Sequence, residues 1–438
     1  MGSSVIHGLA ERMTDGAVAP GLRLVTMPMG VKDVVTLYGS LYGGDVFSPS
    51  ANRSTADIVS SMLDKGTLRQ DKFEISGQLE SVGAKVSFSS DDYRVSFSAR
   101  CLQADVPLIV KLLSEQLREP AFHASDLESL QKRLVGLLKR RSESTDYRAG
   151  ASFSRLLYPA GHPNHVPPVD EQRGDIEHIT PADLQRFHLQ HYGLGSVLVV
   201  ATGDIEREVL EDNLGRHLGP WQEVATSIPA LPKGAPAGDG SPREEIVSMA
   251  DKTSVDLLLG GTIGIDREHA DFMPLSMGTY VLGGNFSARL MATLRDNDGL
   301  TYGIGSTLGG ADDGKDGYWS IHGSFAPELL ARGRAAVMTQ FNSWVREGIT
   351  EDELRVKKTT IKGSYKVGLA TTSGMAAAIL DILERGKEIS YLDEYPGKID
   401  ALALDQVNAV IGQYIHPEER VEVAAGSIDG KGRPLAAG

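Results

Sequence analysis

The chain is organised around one stretch, which reads Leu282-Gly-Gly-Asn-Phe-Ser-Ala-Arg-Leu-Met-Ala-Thr-Leu-Arg295-Asp-Asn-Asp-Gly299-Leu-Thr-Tyr302-Gly303. It predicts a glycine turn, a short apolar helix that ends at Arg295, and Tyr302 seven residues further on. Arginine offers a planar fork of N–H donors, and tyrosine offers a hydroxyl on a rigid ring. Both side chains suit binding of a carbonyl or carboxylate group. On spacing alone, however, a surface arginine and a packed tyrosine would be the simpler interpretation.

Length and composition limit what the rest of the chain can be. A chain of 438 residues is too long for one ordinary core, so several domains are expected. The net charge of −14 argues against nucleic acid or an anionic membrane as the main partner. No apolar run reaches the roughly 18 residues of a membrane-spanning helix. The single cysteine, Cys101, excludes an intrachain disulfide and a multi-cysteine metal site, and its alternating surroundings predict a buried thiol.

The apolar periodicity of the first half mixes strands with helices, which predicts an α+β fold class. Ser54 or Thr55 should cap a helix that stops at Gly66, where glycine favours a helix end. The predicted strands are Leu22–Met27 and Val34–Tyr42 as an antiparallel pair, a hairpin over 85–102 that turns at 90–92, and 196–201. Further helices are predicted at 71–82, 107–118, 126–141 and 181–190.

A segment rich in proline and glycine, 229–242, is the clearest linker. It divides the chain into an N-terminal half, 1–228, and a C-terminal half, 243–438. Both halves carry an aspartate, a tyrosine nine residues later and a glycine after an apolar strand: Asp183, Tyr192 and Gly203 in the first, Asp405, Tyr414 and Gly426 in the second. The order of predicted elements is also shared, which indicates an internal duplication.

This organisation resembles the insulinase-like M16 metallopeptidases, and in particular their short (M16B-type) subunits, such as those of the mitochondrial processing peptidase and the bc1 core proteins. The resemblance covers nearly the whole chain. Its most specific pieces are Met62–Thr67, Tyr158–Pro163, Tyr192 with Gly203-Asp204, and Leu294–Tyr302. It implies two duplicated halves, each an antiparallel sheet packed with helices.

Catalytic members of this family carry His-x-x-Glu-His on one helix, where the two imidazoles face a single zinc ion. The matching positions of this chain are Asp57, Ser60 and Ser61. The family's downstream glutamate ligand should fall on the helix 131–141, which has no acidic residue. The resemblance therefore implies a degenerate metal site and no catalytic zinc on this chain. Two histidine pairs offer weak alternatives: His188 with His191 is disfavoured as a metal site, and His162 with His165 is expected to serve loop structure.

Active family members also supply an arginine and a tyrosine, seven residues apart, from the C-terminal half to hold the substrate backbone. Arg295 and Tyr302 match that pair. The resemblance thus implies a noncatalytic, substrate-binding subunit of a heterodimeric zinc peptidase. The partner, a homologous M16 chain with His-x-x-Glu-His, would hold the zinc, and the two chains would close around a peptide or unfolded polypeptide. The family's edge-strand pattern Asn-Ala-x-Thr is only partly matched by Ser87–Ser90, and Gly283-Gly284 is short for the glycine-rich loop of a presequence-processing subunit, which favours a bacterial peptidase subunit.

Two other functions remain open from the sequence. The chain could be a structural scaffold like the respiratory core proteins, in which case Arg295 and Tyr302 would be dispensable. It could also be a module that binds peptides without cutting them. A free-standing zinc peptidase is the least favoured interpretation, because the metal-binding positions are lost.

Overall fold

The computed structural model describes residues 8–231, 242–312 and 314–435. Its strands are β1 Thr14–Ala19, β2 Leu22–Pro28, β3 Val34–Tyr42, β4 Lys85–Ser90, β5 Arg94–Leu102, β6 Val197–Gly203, β7 Arg243–Ser248, β8 Val255–Thr262, β9 Thr301–Gly309, β10 Tyr318–Phe325 and β11 Val421–Gly426. Its α-helices are α1 Thr55–Met62, α2 Lys72–Ser81, α3 Val106–Arg118, α4 Ala124–Ser142, α5 Thr145–Leu157, α6 Val169–His178, α7 Pro181–His191, α8 Arg207–His217, α9 Phe272–Gly283, α10 Leu330–Glu347, α11 Glu351–Gly368, α12 Thr372–Glu384, α13 Tyr391–Ala401 and α14 Leu404–Tyr414.

The chain forms two compact units, which we call unit 1 and unit 2. Unit 1 comprises the described parts of Met1–Val135, Gln172–Pro229 and Lys362–Lys398; unit 2 comprises those of Gly136–Glu171, Ala230–Ile361 and Ile399–Gly438. Each unit therefore takes one helical segment from the other half of the sequence, so the spatial units differ from the linear halves 1–228 and 243–438. Most of the predicted linker 229–242 lies outside the described residues.

Unit 1 is built on a six-stranded sheet with the order β1-β2-β6-β3-β5-β4. The prediction that β2 and β3 pair directly is wrong, because β6 lies between them, parallel to β2 and antiparallel to β3. The physical reason is burial: nearly every residue of β6 is shielded from solvent, as expected for a central strand. The parallel β2–β6 pair also makes the sheet mixed rather than wholly antiparallel.

Unit 2 repeats this design in a five-stranded sheet with the order β7-β11-β8-β10-β9. Here β11 lies between β7, to which it is parallel, and β8, to which it is antiparallel. The order matches that of unit 1 strand for strand once β1 is set aside. Two sheets packed with helices confirm the α+β prediction, and the shared topology supports the internal duplication read from the sequence.

The exchanged helices cover equivalent faces of the two sheets. In unit 1, Met375, Ala376 and Ile379 of α12 pack against Val25 and Val200 of the sheet. In unit 2, Ala149, Phe153 and Leu157 of α5 form a core with strand residues, among them Leu258, Val421 and Val423. Each unit thus completes its core with a helix that the other half of the sequence encodes.

Local predictions near α1 are met in part. Ser54 occupies the N-cap position but its side chain makes no capping bond, and Ser48 Oγ instead accepts from Ala56 N at 3.0 Å. Gly66, with φ of 118°, ends the helical segment as predicted. Cys101 is buried, which confirms the prediction of a structural thiol, and burial raises its pKa to about 12.

Among the described residues, no single helix combines the length and apolar content needed to cross a membrane. One pair, α11 and α12, passes such a test together by length and composition, but it is bent by 110° at its junction.

Candidate functional site

The stretch 282–303 joins the end of α9 to the edge strand β9 of unit 2. A Cβ on Gly283 would come within 2.3 Å of the backbone nitrogen of Ser306, so only glycine lets the end of α9 lie against β9. A π-helical turn, Met291–Asn297, follows, and Gly299 reverses the chain with φ of 60°. The predicted helix with Arg295 near its end is therefore present in π-helical form.

The structure brings Arg295 and Tyr302 together and adds an aromatic residue that sequence reasoning missed. The Arg295 guanidinium carbon lies 5.6 Å from the ring centre of Tyr302 and 5.5 Å from that of Phe286. Both distances are within the range of cation–π attraction. We call these three residues the aromatic clamp. Phe286 lay within the quoted stretch, and an aromatic residue in a predicted turn was the available signal.

The aromatic clamp is open to solvent. The Tyr302 residue is 90 % exposed and Phe286 is 75 % exposed, so the packed tyrosine allowed by spacing alone is not what the fold contains. Among the described residues, the Arg295 guanidinium has only the Asp296 carboxylate within ion-pair distance, at 3.9 Å between Nη1 and Oδ1, which leaves its donors available for another group. Large aromatic side chains in contact with water are a feature of binding surfaces.

Helix α11 holds the turn that carries Phe286 in place. Lys357 is buried, and its Nζ donates to Asn285 Oδ1 at 2.8 Å, Ser287 Oγ at 3.0 Å and Ser287 O at 3.1 Å. Burial lowers the pKa of this ammonium group. One turn away, Arg289 binds Glu353 through two hydrogen bonds of 2.6 Å. These bonds fix both sides of the turn, which preorganises the clamp.

The degenerate metal positions lie on α1 of unit 1, where Ser60 and Asp57 both bond to Ser90 of β4. The hydroxyl of Ser60 lies 3.0 Å from the Asp57 carbonyl oxygen and 3.2 Å from Ser90 Oγ, and Ser90 Oγ donates to Asp57 Oδ1 at 3.4 Å. Ser61, at the second imidazole position, is half-buried. A hydroxyl is a poor ligand for zinc, so this donor set does not fit the ion.

Helix α4 brings Arg133 towards this site, where an acidic ligand would be needed. Desolvation raises the pKa of Asp57, and the positive charge of Arg133 acts in the opposite direction. Desolvation also raises the pKa of Asp45 to about 7, with further contributions from neighbouring carboxylates, Asp57 first among them. Arg133 thus adds a positive charge near Asp57, and that charge would repel a cation.

Two histidines of unit 1, His188 and His191, contribute to packing. His188 is buried, its Nε2 donates to Leu117 O at 2.7 Å, and desolvation lowers its pKa to about 4. His191 instead packs its ring against Phe187 and Phe47, at centroid distances of 4.6 and 5.4 Å. The two imidazoles therefore do not form a shared metal site.

The proline-rich loop of unit 2 uses its histidine in the same structural way. His162 is fully buried and stacks on Tyr158 at 4.2 Å. Its Nδ1 accepts from the Asn164 backbone N–H at 3.0 Å, so Nε2 carries the proton and donates to Asp316 Oδ1 at 2.8 Å. This is the loop role expected from the sequence.

A metallopeptidase-like scaffold that lacks the ligand side chains is the class of protein that this fold and these sites define. Comparison with known families supports that class. The sequence matches the family models for Insulinase (Peptidase family M16), over residues 34–148, and Peptidase M16 inactive domain, over residues 178–361. The chain belongs to the M16 peptidase family.

The relatives include proteins named as proteases and one named as a non-peptidase. It is 26 % identical to an uncharacterized zinc protease of Mycobacterium tuberculosis, over 90 % of this chain and 91 % of the relative. It is 21 % identical to the non-peptidase homolog YmxG of Helicobacter pylori, over 88 % and 86 % of the two chains. A crystal structure of a peptidase M16 inactive domain from Pseudomonas fluorescens superposes with a TM-score of 0.84 at 23 % identity, covering 97 % of this chain and 99 % of that one.

Proposed function

We propose that this chain is the noncatalytic, substrate-binding subunit of a heterodimeric zinc endopeptidase. A homologous M16 partner with His-x-x-Glu-His would hold the zinc ion and the water that attacks the peptide. This chain would contribute Arg295 and Tyr302. Its substrate would be a peptide or an unfolded segment of a polypeptide.

The aromatic clamp is the observation that carries this proposal. Arg295 and Tyr302 lie next to each other, are accessible, and belong to a segment that Lys357 and Glu353 anchor. A residue kept for packing would bury its ring, whereas Tyr302 is 90 % exposed. The positions on α1 that match the family's zinc ligands are Asp57, Ser60 and Ser61, and this set does not fit a catalytic zinc ion.

The chemistry available to the clamp is electrostatic. The Tyr302 hydroxyl can donate a hydrogen bond to a carbonyl oxygen as that oxygen becomes negatively charged. The Arg295 guanidinium can donate to an adjacent peptide carbonyl and orient the backbone. Phe286 offers an apolar face beside them, on which a substrate side chain can pack. Neither polar group cleaves a peptide without a nucleophile supplied from elsewhere.

The proposal is tested by reconstitution with a homologous M16 chain that carries His-x-x-Glu-His and comes from the same organism. Each chain alone should be inactive against an unfolded polypeptide, and the mixture should be active. An Arg295→Ala, Tyr302→Phe double variant should lose at least about 100-fold in kcat, the scale of losing one transition-state donor.

Complex formation, measured by size-exclusion chromatography, should be unchanged in the double variant because the clamp is not needed for folding. Arg355→Ala is the matched control, since Arg355 is an exposed arginine of the same unit that pairs with Asp352. Normal turnover in the double variant would exclude the proposal and favour a structural scaffold. Peptide binding by the isolated chain, with no activity in any mixture, would favour a peptide-binding module.

A further inference from the structure

A second cluster of chemically active side chains lies in unit 2, apart from the aromatic clamp. It consists of His322 on β10, Asp256 on β8 and Asp146 in the first turn of α5. We infer that these three residues bind a divalent transition-metal ion, of which Zn²⁺ is the best match. The inference is independent of the proposed peptidase role. It concerns different residues, and its test is zinc binding rather than peptidase activity.

The ligand atoms converge at distances suited to such an ion. His322 Nε2 lies 2.9 Å from Asp256 Oδ1 and 3.5 Å from Asp146 Oδ1, and all three atoms lie within 4.8 Å of one another. Tetrahedral bonds of about 2.0–2.1 Å separate neighbouring ligand atoms by about 3.3 Å. The observed separations bracket that value, so small side-chain rotations complete the site.

Regular secondary structure supports each ligand. In the β8–β10 ladder, Asp256 is opposite Ser324 and His322 is opposite Leu258, so the two ligands are diagonal neighbours on one sheet face. Helix α5 packs over that face and presents Asp146. Thr145 Oγ1 donates to Asp256 Oδ2 at 2.5 Å, which orients the carboxylate and leaves Oδ1 directed at His322. Such an outer partner is typical of metal-bound carboxylates.

Charge and access also fit a cation. Two carboxylates and a neutral imidazole would balance the charge of a divalent ion, and the mixture of nitrogen and oxygen donors favours zinc over magnesium or calcium. Asp256 is only 5 % exposed, so its charge lies where water cannot solvate it. The Asp146 side chain is largely exposed and that of His322 is partly exposed, which gives an ion a route in and leaves a position for water.

Unit 1 provides an internal comparison for this cluster. Val35 of β3 lies opposite Gly203, and Val255 of β8 lies opposite the equivalent Gly426. The next residues along the two strands, Thr36 and Asp256, are therefore counterparts. There, Thr36 Oγ1 donates to Thr372 Oγ1 at 3.0 Å, at the first residue of α12, which is the counterpart of Thr145 in α5. Hydroxyl groups are therefore enough to anchor an exchanged helix on its sheet. Unit 2 carries metal-ligand side chains where anchoring does not require them.

The expected consequence is a metal cross-link between the start of α5 and strands β8 and β10. The test uses the full chain, stripped with a chelator and titrated with Zn²⁺ by calorimetry. We expect one strong site per chain and an increase of a few degrees in Tm with saturating zinc, because an ion that binds the folded state stabilises it. Mg²⁺ at the same concentration should have no such effect.

Variants attribute the binding to this cluster. Asp146→Asn and His322→Gln should each weaken zinc affinity at least about 100-fold, which is more than the loss of an outer-shell partner causes. Asp146 is exposed, so its variant should fold normally. His269→Gln is the matched control, because His269 also lies near an aspartate of unit 2, at 3.8 Å from Asp271. Absence of zinc binding, or binding that both variants retain, would overturn the inference and leave a hydrogen-bonded anchor.

Discussion

The two units share a five-strand order but differ in how they use the helical segment that follows the second shared strand of the chain, β3 in unit 1 and β8 in unit 2. In unit 1, α1 follows β3, and two of its potential ligand positions, Asp57 and Ser60, bond to Ser90 of the edge strand β4. In unit 2, α9 and the π-helical turn follow β8, and the aromatic clamp that this segment forms with Tyr302 at the start of β9 has two exposed rings, Phe286 and Tyr302. Both segments have the same place in the repeat, since each joins a central strand to the edge strand of its sheet.

The two units therefore share the features that build the core and differ in the segment that carries the candidate functional residues. Strand order and the exchanged helix are common to both units, because they bury the core. In unit 1, Ser60 and Asp57 both bond to Ser90, and none of these three side chains is an imidazole that could hold zinc at the family's metal position. Arg295 and Tyr302 contact each other beside a turn that Lys357 anchors, and the Tyr302 side chain is exposed, as we propose for a substrate-binding surface.

The largest expected change in the contrast between the two units comes from rebuilding the metal site of unit 1. Asp57→His, Ser61→His and Arg133→Glu together place two imidazoles one turn apart on α1 and a carboxylate on the facing helix α4. We expect zinc affinity at this site to increase at least about 1000-fold, since three protein ligands suffice for a zinc site with one open position. Zinc titration by calorimetry measures the change.

Two controls make this result specific. The rebuilding is carried out in the His322→Gln background, so that the cluster of unit 2 does not contribute to the titration. A variant with both new histidines but with Arg133 retained should gain far less affinity, because the guanidinium repels the ion. Equal affinity with and without Arg133→Glu would show that α4 does not face the site.

The sequence predicted the α+β class, the duplication and most strands and helices, because these depend on local periodicity and on spacing within each half. It did not predict that β6 would separate β2 from β3, because β6 is far from both strands in sequence and local periodicity does not determine strand order. The exchange of α5 and α12 was also missed. Each helix has an apolar face, but nothing in a periodic pattern says which sheet it will cover.

The site was predicted unevenly for the same reason. Arg295 and Tyr302 are close in sequence, so their spacing was informative, and the added member Phe286 was in the same stretch. Lys357 and the cluster of His322 with its two aspartates join residues that are far apart along the chain. Their meeting depends on strand register and on the exchanged helix, which only the folded structure defines.

A buried histidine gives the two units different responses to acid. Aligning the repeat on Tyr192 and Tyr414 places His188 of α7 opposite Val410 of α14, and both are buried. The pKa of His188 is lowered to about 4 by desolvation, whereas the unfolded chain should titrate near the usual value of about 6.5. The unfolded state therefore binds more protons between these values, and stability is full above pH 6.5 and declines as pH falls towards 4.

We expect this group to cost unit 1 about 3 kcal/mol of unfolding free energy between pH 7 and pH 4. Urea unfolding at several pH values measures this loss of stability, which we call the acid limb. His188→Gln should reduce the acid limb, and it keeps a donor for the Leu117 carbonyl. His178→Gln, at an exposed histidine, is the control and should leave the limb unchanged. An unaltered acid limb in His188→Gln would mean that another group controls it.

The smallest expected effect concerns the tyrosines that end the equivalent helices α7 and α14. Tyr192 is fully buried, and its hydroxyl has no hydrogen-bond partner among the described residues, whereas the Tyr414 hydroxyl donates to Asp271 Oδ2 at 2.8 Å. Removing an unpaired buried hydroxyl relieves a desolvation cost, so Tyr192→Phe should leave stability unchanged or raise it by about 1 kcal/mol. Tyr414→Phe should lower it by about 1 kcal/mol, the typical net value of a hydrogen bond. Urea midpoints of the two variants measure this contrast. A similar loss of stability in both would mean that the two hydroxyl groups contribute equally.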